Sequence, residues 1–286
     1  MSLFLRGLKF LKAIAGRVVS KSLQSVFRNK KITLAYYLNE LGVRLIVLSK
    51  RMMLKINSFA VDKHIVENQD RFLLLHKNID SEIKKQRRFY SSYKYFAGYP
   101  YQQLSILNTF GDRNTEERFD NYGLSSLITH KDTVLDIGCN CGFMAIYTAF
   151  RTGCKVYGVD VNAYMINIGR HVADYLNISN LVHLEAVRFQ EYKTDNKFSV
   201  IFSFASHWTD DKNHRPDFHD YMVRLHNLLD KDGLLIFESH TADVGNEEFY
   251  NKMQDQRKLF LWDGSKLLDN NTRELYIMRK ISPPNL

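Results

Sequence analysis

The sequence predicts an α/β fold, in which a doubly wound, mostly parallel sheet follows a basic, mainly helical N-terminal extension. From residue 133 onward, short apolar strands alternate with helices, which is the pattern of a parallel sheet with helical crossovers. Before residue 100 the periodicity is helical, and lysine and arginine far outnumber the acids of the first 60 residues. We therefore expect an extension at 1–100 and one α/β domain at 101–286.

The composition is that of an ordinary globular protein. Of 286 residues, 45% are hydrophobic and 25% charged, and the low counts of 4 Pro and 14 Gly exclude a fibrous or broadly disordered chain. The sequence has no charge-free apolar run near the roughly 18 residues that a spanning helix needs, which argues against an integral membrane protein. Three cysteines cannot build a disulfide framework, so we expect a reducing, cytoplasmic compartment.

The net charge of +9 is concentrated near the N-terminus. Residues 1–60 contain twelve Lys or Arg and one acid, Glu40, whereas residues 61–286 contain 28 bases and 30 acids. Such an asymmetry is typical of an arm that meets an anionic partner.

The first helix of this arm is predicted at residues 3–27, where Phe4 and Leu8 belong to an apolar stripe opposite basic residues. A helix of this kind can lie in the interface of an anionic bilayer, and residues 1–31 are therefore predicted to meet a membrane surface. Three alternatives stay open: packing on the chain's own domain, an organelle transit peptide, and an arm that grips nucleic acid.

Further helical segments are predicted at 33–55 and 60–96, and the Gly-Tyr-Pro sequence at 98–100 predicts a turn that ends the extension. The next helix is expected to begin at Asn114, whose side chain can cap the helix N-terminus. Glu117, three residues further on, completes a sequence similar to a capping box.

Strands and helices then alternate along the predicted α/β domain. The strands are predicted at 134–137, 155–161, 181–186, 198–204 and 234–238. The helices are predicted at 143–150, 163–176 and 218–229. Right-handed crossovers place the loops that face a ligand at the carboxyl ends of the strands.

The candidate ligand-binding residues lie at the ends of the first two strands of the predicted α/β domain. Gly138 and Gly142 allow a ligand to approach the backbone closely, and Asn140 between them is the next best residue for a positive φ. Asp136 would repel a pyrophosphate and suits a ligand that bears an ammonium or sulfonium cation. Asp160, 18 residues after Gly142, is placed to accept hydrogen bonds from both hydroxyls of a ribose.

These residues resemble the class I S-adenosylmethionine-dependent methyltransferases. VLDIGCNCG at 134–142 is similar to their first motif, acid-x-Gly-x-Gly-x-Gly, except at Asn140, and VYGVDVN at 156–162 is similar to their acidic second strand. FSVIFS at 198–203 and LLDKDGLLIFE at 228–238 are similar to their fourth strand and to the turn and strand that follow. The resemblance covers about residues 112–286, with the four elements in the correct order.

The resemblance implies S-adenosylmethionine as the cofactor and assigns residues to it by position. The methionine moiety would be held by Asp136 and by the backbone of Gly138, Cys139, Asn140 and Gly142. The ribose would meet Asp160, with Val161 beside it, and the adenine would meet Val187 and Arg188. Ser203 and Phe204 would line the site of methyl transfer.

Candidate catalytic residues follow the fourth and fifth strands. His207 is predicted to be a general base, because imidazole titrates near neutrality, and Glu238 or His240 would orient it or bind substrate hydroxyls. The alternative interpretation is that His207 and Glu238 join the two strand ends. No metal is predicted, since the spacing of the nearby candidates matches no ligand motif; these are His207, Asp210, His214 and His219.

The acceptor of the methyl group is the least defined part of the prediction. The segment 113–119, the cofactor loop and the Phe-Glu-Ser-His sequence at 237–240 also resemble, more loosely, bacterial enzymes that modify the wobble uridine of tRNA and methyltransferases encoded with surface-polysaccharide synthesis. Together with the basic leader, this favours O-methylation of a glycan or lipid-linked acceptor at a membrane surface. A tRNA acceptor is the alternative, and a non-catalytic protein that binds S-adenosylmethionine is a third.

Overall fold

The computed structural model describes residues 69–89, 102–109, 111, 113–208, 216–268 and 271–281. All of them belong to the second of the two units into which the chain divides, Lys63–Leu286. The predicted basic leader and the predicted helix at 33–55 lie outside the described residues. None of the helices in the described part of the chain combines the length and the apolar character that a bilayer crossing requires.

The described residues form seven α-helices and nine strands. The helices are α1 (Gln69–Phe89), α2 (Thr115–Asn121), α3 (Leu124–Leu127), α4 (Phe143–Thr152), α5 (Ala163–Tyr175), α6 (Phe218–Leu228) and α7 (Glu247–Asp255). The strands are β1 (Gln102–Gln103), β2 (Arg113–Asn114), β3 (Thr133–Ile137), β4 (Lys155–Asp160), β5 (Val182–Ala186), β6 (Phe198–Phe204), β7 (Leu229–Glu238), β8 (Phe260–Leu268) and β9 (Arg273–Lys280).

Strands β3 to β9 form one sheet with the order β5-β4-β3-β6-β7-β9-β8. The strands from β5 to β7 are parallel to one another, and β9 runs antiparallel to both of its neighbours. The predicted α/β class, with a doubly wound and mostly parallel sheet, is confirmed. Because the carboxyl ends of the parallel strands meet at one edge, the residues after β3, β4, β6 and β7 come together there.

Apolar side chains alternate between the two faces of the sheet, and each face has its own core. Val134 of β3 packs on the face covered by α1, α2, α4 and α5, whereas Leu135 and Ile137 pack on the face covered by α6 and α7. This alternation decides on which side of the sheet each functional side chain lies.

Helix α1, which lies inside the predicted extension, packs on the α/β domain. Its Leu75, Ile79 and Ile83 are buried in the first core. At the C-terminal end of α5, Arg71 donates to the carbonyl oxygen of Tyr175 over 3.3 Å, where a cation also offsets the negative end of the helix dipole. The domain boundary at residue 100 stays a prediction.

Helix α2 begins as the sequence predicts. The side chain of Asn114 accepts a hydrogen bond from the backbone N–H of Glu117 over 3.0 Å, which confirms the predicted N-terminal cap. The cap fixes the start of a helix whose next turn carries Arg118 and Tyr122 toward the carboxyl edge of the sheet.

Candidate functional site

The loop after β3 needs residues that tolerate a positive φ. Gly138, Asn140 and Gly142 have φ values of 66°, 55° and 67°, so the expectation for Asn140 is confirmed. A Cβ atom at Gly138 would lie 2.9 Å from the Cβ of Ser206, and one at Gly142 would lie 2.9 Å from the Leu184 side chain. The backbone therefore passes too close to its neighbours to carry larger side chains at either glycine.

Asp160 at the end of β4 holds this loop in place. Its Oδ2 accepts a hydrogen bond from the backbone N–H of Asn140, and its Oδ1 accepts one from that of Asn162, both over 2.9 Å. The arrangement is compatible with the predicted binding of a ribose.

Asp136 is buried at the end of β3, with only 2% of its surface exposed. Its Oδ2 has no hydrogen-bond partner among the described residues. Burial raises the pKa of this carboxyl to about 7; the Arg118 guanidinium opposes the increase and the Asp160 charge adds to it. A cationic ligand beside Oδ2 would supply the missing partner and restore the carboxylate.

A cleft that opens to solvent lies beside these residues. It is lined by Gly138, Asp160, Val161 and Val187 from the predicted set, and also by Ile137, Val159, Phe189, Gln190, Ser206, Pro216 and Tyr221. Arg188, predicted beside the adenine, forms an ion pair with Glu191 over 3.2 Å, and its placement at the adenine stays a prediction. Sequence reasoning missed Phe189 and Gln190, although Phe189 follows Val187 at the two-residue spacing of an extended chain.

Cys139 and Ser203, two further predicted cofactor residues, make contacts within the protein. Cys139 is buried, and its backbone N–H donates to the Val159 carbonyl over 3.0 Å. The hydroxyl of Ser203 lies 2.8 Å from that of Tyr221 and 3.1 Å from that of Ser206. These buried hydroxyl contacts fix the position of the C-terminal end of β6.

His207 is buried, with 4% of its surface exposed, and its Nε2 lies 2.9 Å from Oδ2 of Asp243. Asp243 also accepts hydrogen bonds from Trp208 Nε1 over 2.7 Å and from the backbone N–H of His240 over 2.6 Å. Burial alone would raise the pKa of Asp243, but the hydrogen bond from His207 and the other donors lower it. Asp243 is therefore an ionised partner of His207.

Neither Glu238 nor His240 takes the orienting position beside His207 that the sequence suggested. Side chains alternate along β7, so Phe237 faces His207, with ring centroids 4.8 Å apart, and Glu238 points to the opposite face. The His240 ring lies 4.8 Å from the Trp208 ring. Asp243 occupies the orienting position instead, and nothing in the local sequence separates it from other acids.

Glu238 is surrounded by cationic groups. Its carboxylate accepts hydrogen bonds from Arg113 and Arg118 over 2.9 Å each, from Arg273 over 2.8 Å, and from the Tyr122 hydroxyl. Burial alone would raise the pKa of Glu238, but the three arginines outweigh it and lower this pKa to about 2. We refer to Arg113, Arg118 and Arg273 as the arginine cluster.

A second cavity adjoins the first cleft, since Pro216 and Tyr221 line both. Its further lining residues are His207, Trp208, Asp217, Phe218, Asp243, Asn246, Glu248, Phe249 and Lys252. The walls combine aromatic rings with carboxylate, amide and ammonium groups, which suits an acceptor with both apolar and polar parts.

Of the four residues considered as metal ligands in the sequence, the structure describes His207 and His219. Within the described ranges, no group of three or more His, Cys, Asp or Glu side chains is arranged to hold a metal ion. Asp210 and His214 lie outside the described residues. His219 contacts Gln256, with 3.1 Å between Nδ1 and Oε1.

The methyltransferase domain family matches residues 128–279. The chain belongs to this family of class I S-adenosylmethionine-dependent methyltransferases. It is similar to a probable fatty acid methyltransferase of Pseudomonas putida, with 23% identity over 92 residues, 32% of this chain and 23% of the relative. It is also similar to a sterol 24-C-methyltransferase of Eremothecium gossypii, with 29% identity over 108 residues, 37% of this chain and 28% of the relative.

The chain thus spans about a quarter of the length of these two curated relatives. Among solved structures, N-methyltransferase NodS from Bradyrhizobium japonicum WM9 aligns with a TM-score of 0.46 and 15% identity, over 58% of this chain and 96% of that one.

S-adenosylmethionine is the cofactor of the protein, and the residues at the first two strand ends fit it. The unpartnered Oδ2 of Asp136 matches the ammonium group of a methionine moiety. Gly138 lines the cleft without a side chain, and a Cβ atom there would meet Ser206. Asp160 matches a ribose that carries both hydroxyl groups.

Proposed function

We propose that the protein transfers a methyl group from S-adenosylmethionine to a hydroxyl group of a glycan or lipid-linked acceptor at a membrane surface. The observation that carries this proposal is the second cavity, which adjoins the cofactor cleft and has the His207–Asp243 pair in its wall. The names of the two curated relatives, a fatty acid and a sterol methyltransferase, support an acceptor with an apolar part.

The chemistry requires positioning and removal of one proton. When bound, the cofactor supplies a methyl group on a sulfonium, which leaves as a neutral thioether. Residues of both cavities would position the acceptor oxygen for attack on the methyl group, and the aromatic walls would exclude water that could compete with the acceptor. The acceptor hydroxyl must lose its proton as the new O–C bond forms.

His207 is our proposed acceptor of that proton. Since Asp243 is ionised, it accepts a hydrogen bond from Nε2–H of His207, which leaves the basic lone pair on Nδ1. Nδ1 is buried. The proposal therefore requires acceptor binding to open this wall of the cavity. Glu238 and His240, the other catalytic candidates, would act on the acceptor only indirectly, through the arginine cluster and the Trp208 ring.

The proton-transfer role predicts a specific kinetic signature. We expect His207→Ala to lower turnover by about two to four decades while the affinity for S-adenosylhomocysteine barely changes. Asp243→Asn should lower turnover less and should alter the pH–rate profile near neutrality. Turnover and melting temperature are measured on the same preparations. Full activity in a folded His207→Ala protein would remove the proton-transfer role and leave positioning as the catalytic device.

The acceptor class is tested with cofactor labelled in its methyl group. The full chain is incubated separately with lipid, glycan and RNA fractions, and the label is followed into each. Label in the lipid or glycan fraction supports the proposal. The alternative, a tRNA acceptor, is favoured by the twelve basic residues and single acid of residues 1–60, and label in RNA alone would establish it.

A further inference from the structure

Three hydroxyl groups from the end of β6 and from α6 meet in a closed triangle. The hydroxyl of Ser203 contacts those of Ser206 and Tyr221, and the hydroxyls of Ser206 and Tyr221 lie 2.8 Å from each other. Each of the three contacts is a hydrogen bond between two hydroxyl groups. We refer to Ser203, Ser206 and Tyr221 as the hydroxyl triangle.

The hydrogen bonds within the triangle decide what it offers to a ligand. A hydroxyl group has one hydrogen and two lone pairs, so three hydrogen bonds among three hydroxyls use all three hydrogens. Burial, above all, raises the pKa of Tyr221 to about 12, and this hydroxyl therefore keeps its proton at neutral pH. A neighbouring ligand meets oxygen lone pairs, which attract a cation or a hydrogen-bond donor and repel an anion.

Two members of the triangle line the cavities. Ser206 and Tyr221 line the first cleft, and Tyr221 also lines the second cavity. Pro216 is the other described residue that lines both, and its side chain has no polar atom. Under the proposed function, the methyl group passes from the first cleft to the second cavity, so it lies where the two meet. Among the described residues, Tyr221 is the one that brings a polar side chain to this junction.

The predicted orientation of the cofactor leads to the same position. The sulfur of S-adenosylmethionine joins the methionine moiety, predicted at Gly138, to the ribose, predicted at Asp160. Both residues line the first cleft together with Ser206 and Tyr221. Ser206 lies against Gly138, since a Cβ atom at that glycine would be 2.9 Å from the Cβ of Ser206. We therefore expect the sulfur in the part of the cleft that the triangle borders.

We propose that the hydroxyl triangle faces the methyl-bearing sulfonium of S-adenosylmethionine, and that Tyr221 distinguishes this cation from the neutral thioether that remains after transfer. The inference rests on the proposed function, since it takes the second cavity as the acceptor site. Oxygen lone pairs attract the positive charge of the sulfonium and of its polarised methyl C–H groups. The neutral product has no methyl group at this point, so the triangle holds it less tightly.

Calorimetry on the full chain with two cofactor analogues tests this proposal without methyl transfer. The analogues are S-adenosylhomocysteine, which is neutral at sulfur, and sinefungin, in which a carbon that bears an ammonium group replaces the methyl-bearing sulfonium. Tyr221→Phe removes one oxygen and keeps the ring, which packs against Phe189 with ring centroids 5.5 Å apart. We expect this variant to lower the ratio of sinefungin affinity to S-adenosylhomocysteine affinity about ten-fold, the effect of one hydrogen bond to a charged group.

Ser206→Ala is the second variant. It leaves two hydroxyls and one hydrogen bond, so one O–H is free to turn toward the ligand, and the same affinity ratio should fall by a smaller factor. Melting temperatures show whether each variant is folded, and Ser206→Ala decides the question where Tyr221→Phe is not.

Tyr192→Phe is the matched control, because Tyr192 is buried in the same core as Tyr221 but does not belong to the residues that line the two cavities. Its affinity ratio should equal that of the wild type. An unchanged ratio in a folded Tyr221→Phe protein would overturn the proposal, as would equal weakening of both analogues, which would leave Tyr221 a structural role. A lower ratio without methyl transfer to a lipid or glycan fraction would support this contact and count only against the proposed function.

Discussion

Asp160 connects two functions through one side chain. Its two oxygens accept hydrogen bonds from the backbone at Asn140 and Asn162, and the residue also lines the cleft. The predicted cofactor loop and Asp160, its predicted ribose-binding residue, are therefore held together by these hydrogen bonds.

Asp160→Ala is expected to weaken binding of S-adenosylhomocysteine by roughly one to two decades, because charge-assisted hydrogen bonds worth about 1.5–3 kcal/mol are lost. Calorimetry measures this affinity in the variant and in Asp195→Ala, which changes an exposed aspartate outside the site. Equal affinity in the Asp160→Ala and Asp195→Ala proteins would show that Asp160 does not read the ribose.

The residues that the sequence could predict are those whose role is local. Asp136, Gly138 and Asp160 are placed by a strand end and by backbone conformation, and both signals are present within a few residues of sequence. Asp243 and Arg273 reach their partners only through the pairing of distant strands and loops, which no local pattern records. The arginine cluster was missed for the same reason.

At the scale of elements, α5 and the cofactor loop are in close contact. A Cβ atom at Gly169 of α5 would lie 2.3 Å from the carbonyl oxygen of Cys141, which is too short for any real contact. The glycine, weak as a helix former, is thus needed where the helix passes the loop.

Gly169→Ala is expected to destabilise the protein by about 1–3 kcal/mol through overpacking, and to weaken cofactor binding because the loop at 139–142 must move. Urea unfolding and calorimetry measure the two effects. Gly264→Ala is the control, since a Cβ atom there meets no atom within 4 Å. A variant at Gly169 that matches this control in both measurements would contradict the proposed contact.

The arginine cluster joins elements that are distant in sequence. Arg113 comes from β2, Arg118 from α2 and Arg273 from β9, and all three meet Glu238 at the end of β7. The carboxylate thus links the segment before the α/β units to the last strands of the sheet, and its ionisation is coupled to folding.

Glu238→Gln is expected to lower the free energy of unfolding at pH 7 by about 3–5 kcal/mol, because three buried arginines lose their anion. The folded-state pKa of Glu238 is lowered from 4.5 to about 2, so its stabilisation is complete above pH 4.5 and is lost as pH falls toward 2. The difference between wild type and variant should therefore shrink over this range. Denaturant unfolding at several pH values checks it, with exposed Glu248→Gln as control. A difference independent of pH would contradict the ionised pairing.

The sequence predicted some strands of the sheet and missed others. The five parallel strands were predicted because buried strands are short apolar runs. The pair β8 and β9 was not. Side chains of β8 are mostly exposed, and β8 lies at the sheet edge. In β9 only four consecutive apolar residues stand between charged pairs, and no helix comes before the strand. Their antiparallel pairing leaves no crossover pattern to detect.

At the scale of the whole molecule, the excess of basic residues and the predicted site residues lie in different parts of the chain. The catalytic part carries almost equal numbers of acids and bases, whereas residues 1–60 carry twelve bases and one acid. We therefore expect the acidic residues predicted to bind the cofactor and the basic leader to serve different partners, so that changes in the leader leave the cofactor site unaffected.

We predict that the leader recruits the protein to anionic bilayers. In the full chain, the eight basic residues of 1–31 are replaced with glutamine, namely Arg6, Lys9, Lys12, Arg17, Lys21, Arg28, Lys30 and Lys31. Each basic residue near an anionic surface contributes about 1 kcal/mol, so co-sedimentation with phosphatidylglycerol liposomes should fall sharply, while affinity for S-adenosylhomocysteine stays unchanged. Wild-type binding should weaken with salt, because counterions screen the surface charge. Failure of the wild-type protein to bind these liposomes, together with tight and salt-dependent binding to tRNA, would assign the leader to nucleic acid instead.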